Sequence, residues 1–208
     1  MRLLVVSILH LYICAHTVLW AQIQTVPVYK DHEIPVEERI TYLLSEMTLE
    51  EKVWQLTQYT LGINNNENNI EKTVQEVPAE IGSLIYFEMG PELRNRVQHQ
   101  AIENSRLGIP ILFGCDVIHG FRTIYPIPLG QACSWNPELV EKACAVAAQE
   151  AKMSGVDWTF SPMIDVARDG RWGRVAEGYG EAPLTNAVFG VASVRGYQGN
   201  SCLLYTFS

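Results

Sequence analysis

The fold of this chain is constrained most strongly by three short, mainly apolar runs. Segments with helical spacing separate these runs. The runs occupy residues 81–87, 111–114 and 156–166, and none of them alternates strictly between apolar and polar residues. Such runs are typical of strands buried on both faces, which occur in parallel sheets covered by helices. The sequence therefore predicts an α/β fold built on a parallel sheet.

The segments around these runs carry helix signals. Residues 36–58 predict two helices, the second starting at the capping box of Thr48 and Glu51. Further helices are predicted over residues 91–106 and 183–195. Another is predicted after Asn136, an N-cap followed by proline. Four residues are expected on one apolar face of that last helix: Leu139, Ala143, Ala147 and Ala151.

This alternation does not by itself separate a (β/α)8 TIM barrel from an open doubly wound sheet. No GxGxxG motif follows the first run and no Walker loop is present, which argues against nucleotide binding. Three strand–helix units occupy about 180 residues, whereas a full barrel needs about 250. If the fold is a barrel, we expect about three of its eight strand–helix units.

The composition limits the kinds of partner that the chain can bind. The formal net charge is −8 and no Lys/Arg cluster is present, which argues against binding to nucleic acid or an anionic membrane. The five cysteines show no CxxC spacing and no Cys/His cluster, so no metal or cofactor is implied. Cys115 and Cys144 fall in strand and helix patterns and are expected to be small core residues.

The first 21 residues predict a secretory signal peptide: Arg2 precedes a mainly apolar stretch, and Ala21 precedes a polar segment. A buried N-terminal helix or a membrane anchor is the alternative interpretation. No later segment has the 18 apolar residues of a membrane span. We therefore expect a secreted or periplasmic protein, with residues 22–35 as a lead-in segment.

Charged residues cluster in two segments, residues 114–120 and 161–181, at the ends of the second and third runs. Ligands of parallel α/β folds bind at the carboxyl ends of the strands. Asp116 in the first segment is a candidate acceptor for sugar hydroxyls, or a structural carboxylate. His119 is a candidate acid or base, or a hydrogen-bonded structural residue.

Arginines dominate the second segment. An arginine fork holds hydroxyls or orients a carboxylate, and the alternative role is a salt bridge that fixes the loop. The loop interpretation is favoured for Arg168 and Arg171, whereas both roles stay open for Arg174 on the residue pattern alone. Glu177 is expected to orient Arg174, and Trp172 to stack on a sugar or to pack beneath the loop.

Several ordered motifs resemble glycoside hydrolase family 3, the family of many β-glucosidases and β-xylosidases. The similarity covers about residues 30–199. The matching stretches are residues 47–52, 105–114, 116–120, 121–130, 132–136, 158–163 and 171–174, with Glu177 and Gly178.

The resemblance implies a (β/α)8 barrel followed by an α/β sandwich domain, and a retaining mechanism. In that mechanism one carboxylate forms a glycosyl-enzyme and another carboxyl group protonates the departing oxygen. By the same resemblance, Asp116 binds hydroxyls of the sugar at the cleavage point and Arg174 contacts that sugar. The implied substrate is a small glycoside or an oligosaccharide, with no nucleic acid, no membrane after signal cleavage and no cofactor or metal.

Departures from the family pattern are mild until residue 199. Gly170 and Ala182 replace the usual proline and aspartate. Residues 200–208 resemble nothing in the family, and the chain has no lysine after Lys152 and no histidine after His119. The family's Lys-His pair, its nucleophilic aspartate and its acid/base glutamate are therefore expected to be absent, through truncation or a frameshift.

Three hypotheses follow. The first is an exo-acting β-glycosidase whose full-length form releases β-linked glucose or xylose, with this chain inactive alone. The second is a non-catalytic carbohydrate-binding remnant that uses Asp116 and Arg174. The third is an unrelated, small α/β enzyme, which the ordered motifs argue against.

Overall fold

The computed structural model describes residues 26–60, 70–85, 90–199 and 205–206, in two compact units, Met1–Thr48 and Leu49–Ser208. The predicted signal peptide and most of residues 200–208 lie outside the described residues. In the first unit, the 3₁₀ turn Val28–Lys30 packs on helix α1 (Val36–Glu46). Arg39 Nε donates to the Tyr29 carbonyl at 3.1 Å. The predicted helix is confirmed, although its apolar Ile40 and Leu44 are 45% and 48% exposed.

The second unit alternates strands with helices. The strands are β1 (Gln58–Thr60), β2 (Ser83–Ile85), β3 (Leu112–Cys115), β4 (Trp158–Thr159) and β5 (Tyr205–Thr206). The helices are α2 (Leu49–Gln55), α3 (Ile70–Glu76), α4 (Gly90–Asn104), α5 (Pro128–Ala132), α6 (Pro137–Met153) and α7 (Pro183–Gln198), with a 3₁₀ turn at Val175–Glu177. Among the described residues, no helix combines the length and apolarity that a bilayer crossing requires.

All five strands are parallel and lie side by side in chain order. An open doubly wound sheet reverses its strand order at a switch point, whereas a barrel winds in one direction. No reversal occurs between β1 and β5. The fold is thus of the TIM-barrel type, with five of the eight strands in the described part of the chain.

The core of the second unit joins β2 and β3 to helices α4, α6 and α7. Helices α6 and α7 approach closely at Gly196, where an added Cβ would lie 2.3 Å from the Glu141 carbonyl oxygen and 2.6 Å from Cys144 Cβ. Glycine is required there because no side chain fits between the helices. Cys144 is buried, as expected, and Cys115 packs against the core from β3; neither forms a disulfide bond.

Most predicted elements are confirmed within a few residues, including the N-cap: Asn136 Oδ1 accepts from the Leu139 amide at 3.3 Å. The apolar face of that helix is confirmed in part. Ala147 and Ala151 are buried, whereas Leu139 is 55% exposed. Val140, Cys144 and Ala148 complete the buried face.

The structure differs from the predicted strands in two respects. The run 156–166 forms a ladder only over β4, because its neighbour β3 ends at Cys115, which pairs with Thr159. Two strands were not predicted at all. The segment of β1 was assigned to the end of a helix, and β5 lies within residues 200–208.

Candidate functional site

The candidate site lies at the carboxyl edge of the parallel sheet. Asp116 directly follows β3, and the long segment after β4 carries Arg174 and Glu177. The Asp116 side chain is exposed. Partial burial of its carboxyl raises the pKa, the positive charge of Arg174 lowers it, and the negative charge of Glu177 raises it. The net shift is upward. The structure therefore brings these three predicted residues into one electrostatic cluster.

A hydrogen-bonded pair fixes the basic member of this cluster. Arg174 donates from Nε and Nη2 to Glu177 Oε2, at 2.9 and 2.6 Å. The 3₁₀ turn between them places side chains three residues apart on one face. Glu177 holds the pKa of Arg174 above its ordinary value. The guanidinium has five N–H donors, so the pairing leaves donor capacity for a ligand hydroxyl.

The neighbouring arginine of the same loop has a local partner instead. Arg171 donates to Asp169 from its backbone amide, Nε and Nη2, over 2.5–3.1 Å, and its side chain is 91% exposed. Arg168 is exposed and Trp172 half-buried. The Arg171 contacts organise the loop, and no described contact joins Arg171 to Asp116.

His119 closes a tight loop. Its Nδ1 lies 2.9 Å from the Tyr125 carbonyl oxygen, and the Tyr125 amide donates to the His119 carbonyl at 2.8 Å. Since a carbonyl oxygen only accepts, Nδ1 carries the proton. The Nδ1 side of the imidazole therefore forms a hydrogen bond that stabilises the loop.

Glu150 of α6 attaches this loop to the helix layer. Its carboxylate accepts from the Arg122 and Thr123 amides at 2.9 and 2.8 Å and from Thr123 Oγ1 at 2.6 Å. These bonds lower the pKa of Glu150. Sequence reasoning missed this residue, because an exposed glutamate in a helix carries no signal of a contact 27 residues away.

Two buried residues near Asp116 were also missed. Tyr197 donates its hydroxyl to the Val117 carbonyl, and the Val117 amide donates to Ser161 Oγ at 3.3 Å. Both side chains are 1% exposed. The sequence analysis assigned neither residue a role, because the sequence pattern carries no signal for where a hydroxyl group points.

A cavity of about 470 Å³ lies at the opposite, amino end of β4. Three of its charged groups pair with one another: Asp157 accepts from the Phe113 amide at 3.1 Å and lies 3.4 Å from Arg94 Nη2 and 3.5 Å from Lys152 Nζ. Arg94 Nε donates to the Gly155 carbonyl at 2.8 Å, and its guanidinium lies 4.4 Å from the centre of the Phe113 ring. This closed network joins α4, α6 and the start of β4, so we assign it a structural role.

Within the described ranges, no group of three or more histidine, cysteine, aspartate or glutamate side chains is placed to hold a metal ion. At the carboxyl edge, Asp116 supplies an acceptor and Arg174 a donor, both of which suit hydroxyl groups.

A one-directional parallel sheet whose strands alternate with helices, with a carboxylate and an arginine at its carboxyl edge, is the architecture of a TIM-barrel domain. The sequence profile described as "Glycosyl hydrolase family 3 N terminal domain" matches residues 48–205. The chain therefore belongs to glycosyl hydrolase family 3, as the resemblance of its motifs indicated.

Named relatives agree with this assignment. The chain is 36% identical over 176 residues to the periplasmic β-glucosidase of Salmonella typhimurium, covering 83% of this chain and 23% of the relative. A putative β-xylosidase of Formosa agariphila is 33% identical over 188 residues, covering 83% and 25%. The chain thus spans about a quarter of the length of these relatives, and their similarity supports glycoside hydrolysis as the general activity of the family.

A solved structure shows the same fold. The β-glucosidase of Listeria innocua in complex with glucose aligns with a TM-score of 0.67 and 39% identity, over 78% of this chain and 24% of that protein. A second structure of that enzyme, a mutant in complex with laminaribiose, has the same score and identity.

Proposed function

We propose that this chain provides the sugar-binding edge of a β-glycosidase that releases terminal β-linked glucose or xylose from oligosaccharides by a retaining double displacement. The observation that carries the proposal is the convergence of Asp116, Arg174 and Glu177 at the carboxyl ends of β3 and β4. The crystallised relative that binds glucose supports a sugar as the ligand of this edge.

The roles follow from the chemistry of the three side chains. The Asp116 carboxylate accepts hydrogen bonds from two sugar hydroxyls, and such bonds are strong because the acceptor is charged. Arg174 donates to the same sugar. Glu177 positions Arg174 through its two contacts at 2.9 and 2.6 Å. His119 supports the loop that follows Asp116.

The bond-breaking groups are proposed to lie outside these 208 residues. The proposal is supported by the family resemblance, which implies a nucleophilic aspartate and an acid/base glutamate further along the chain than the matching motifs. Double displacement needs both groups, because one attacks the anomeric carbon and the other protonates the leaving oxygen. We therefore expect the 208-residue chain alone to bind sugar without hydrolysing it.

The division of the chain is part of the proposal: a signal peptide at 1–21, a lead-in at 22–35, the barrel portion at 36–199 and a tail at 200–208 whose residues depart from the family motifs. The family match nevertheless extends to residue 205, and β5 pairs in parallel with β4. Residues 205–206 of this tail therefore supply backbone beside β4. Secretion or a periplasmic location is supported by the location in the name of the Salmonella relative.

Two experiments test the proposal. The 208-residue chain is incubated with a chromogenic β-glucoside, and appreciable turnover would refute the expectation that its catalytic carboxyls are absent. The nucleotides after codon 199 are then read in all three frames. A Lys-His-Phe and a Ser-Asp-Trp stretch in any frame supports the glycosidase, whereas their absence favours the second candidate.

That second candidate is a non-catalytic carbohydrate-binding protein. It is favoured by one observation: Asp116, Arg174 and Glu177 all lie within the chain and interact there. The two candidates share the binding edge and differ in whether catalytic carboxyls are encoded downstream.

A further inference from the structure

The peptide groups on either side of Val117 are held by side chains instead of by the sheet. The β3–β4 ladder ends at the pair Cys115 and Thr159. Beyond it, the Val117 amide donates to Ser161 Oγ at 3.3 Å and the Val117 carbonyl accepts from the Tyr197 hydroxyl. Val117 is fully buried. Both backbone groups would cost free energy if unpaired, so the two hydroxyl groups determine where this backbone lies.

These two side chains come from different parts of the barrel wall. Ser161 belongs to the segment after β4, and its own amide donates to Thr159 Oγ1 at 3.3 Å. Tyr197 lies near the end of α7. Each is 1% exposed. The backbone that carries Asp116 is therefore tied to β4 and to α7 by rigid, buried groups.

We propose that Tyr197 and Ser161 are positioning residues that hold the Asp116 carboxylate in register with Arg174 and Glu177, and that sugar recognition depends on both. The amide of Val117 belongs to the same planar peptide as the carbonyl of Asp116, so a shift at Val117 moves the Asp116 backbone. The part of this inference that concerns sugar rests on the proposed function above.

The chain contains matched controls for ordinary core hydroxyls. Tyr179 is 3% exposed, and its hydroxyl oxygen lies 2.5 Å from Oγ of the fully buried Ser193. Among the described residues, no hydrogen bond joins this second tyrosine–serine pair to the backbone around Asp116. Y179F and S193A therefore remove buried hydroxyls of the same kind without touching Val117.

The experiment compares Y197F and S161A with Y179F and S193A in the 208-residue chain. The first readout is the pH titration of the Asp116 carboxyl followed by its ¹³C resonance. The pKa of Asp116 depends on the partial burial of its carboxyl and on the charges of Arg174 and Glu177. Displacement of the segment alters these surroundings, so we expect the pKa of Asp116 to change in Y197F and S161A and to stay in place in both controls.

The second readout is amide hydrogen exchange over residues 115–119, which we expect to quicken in Y197F and S161A selectively. Equal changes in all four variants, in titration and in exchange, would overturn the inference and leave Tyr197 as a core residue. Neither readout needs a sugar, so both decide the inference even if the proposed function fails.

The third readout is affinity for methyl β-D-glucoside by NMR titration. Loss of one buried partner is expected to weaken binding about fivefold in Y197F, with little change in Y179F. If the unmodified chain shows no saturable shifts, the proposed function fails while the first two readouts still judge the positioning role. Equal affinity in Y197F and the unmodified chain would overturn the sugar-dependent part.

Discussion

Arg174 donates two hydrogen bonds, from Nε at 2.9 Å and Nη2 at 2.6 Å, to one carboxylate oxygen of Glu177. The pair is exposed, with the two side chains 49% and 30% accessible, so it contributes little to folding. Its effect is on orientation, because two contacts to one oxygen restrict the guanidinium next to Asp116. Glu177 is therefore placed to act on a ligand through Arg174.

Substitution of Glu177 by glutamine tests this role. E177Q keeps the size of the side chain but removes the charge, so the contacts with Arg174 weaken and affinity for methyl β-D-glucoside is expected to fall roughly threefold. Thermal stability is expected to stay nearly unchanged. D169N breaks the neighbouring pair with Arg171 and serves as the control, with affinity maintained. Equal losses in both variants would argue against a specific role for Glu177.

Sugar binding is expected to depend on pH through Asp116. Its folded-state pKa is raised above the ordinary value, so the protonated form is favoured in the folded chain relative to the unfolded one. Binding needs the carboxylate, so affinity falls as the pH falls through this raised pKa. The contribution of Asp116 to stability has the opposite sign: it is present at low pH and is lost as the pH rises through the folded pKa.

Isothermal titration or NMR titration across acidic pH measures the affinity profile. In D116N, the fall in affinity at acidic pH that we attribute to Asp116 is expected to disappear. A profile that is identical in D116N and the unmodified chain would assign the titration to another group.

Glu150 is expected to control the loop of residues 118–125. E150A removes the acceptor of the Arg122 and Thr123 amides, so exchange of those two amides should quicken while helix α6 stays protected. The lowered pKa of Glu150 predicts that the same loosening occurs in the unmodified chain as the pH falls through that pKa. Q149A, at the adjacent exposed position, is the control, and equal exchange in both variants would contradict the assignment.

Gly196 is expected to be intolerant of a side chain. A Cβ there would lie 2.3 Å from the Glu141 carbonyl oxygen and 2.6 Å from Cys144 Cβ, so G196A must separate α6 from α7. We expect a loss of about 1–3 kcal/mol in the free energy of unfolding, measured by urea denaturation. G170A is the control, since no atom lies within 4 Å of a Cβ at Gly170. Similar stability of the two variants would show that the helices adjust freely.

Much of the fold could be predicted from the sequence because its signals are local. The Asn136 cap and the apolar runs act within a few residues, and both are confirmed. Strand β1 escaped prediction because Gln58–Thr60 is short and continues a helical pattern. Strand β4 was predicted too long because its length depends on where β3 ends, which is a tertiary property.

The residue types of the site could be predicted from the sequence, whereas the contacts that position those residues could not. Asp116 and Arg174 follow apolar runs, and topology brings such positions to one edge. The hydroxyl of Tyr197 contacts a backbone carbonyl 80 residues away, and no periodicity in the sequence encodes that contact. A salt bridge within the loop was favoured for Arg171, and the structure shows that its partner is Asp169.

The most direct test of a sugar-binding edge is an NMR titration of the 208-residue chain and of D116N with methyl β-D-glucoside, with mannitol as an open-chain control. Loss of a charged acceptor is expected to weaken binding by about tenfold or more. We predict saturable chemical-shift changes at Asp116, Arg174 and Glu177 when the unmodified chain is titrated with methyl β-D-glucoside. Mannitol is expected to cause no such changes. D116N is expected to bind the glucoside with clearly lower affinity. Absence of saturable shifts, or equal affinity in D116N, would contradict the assignment of this edge to sugar binding.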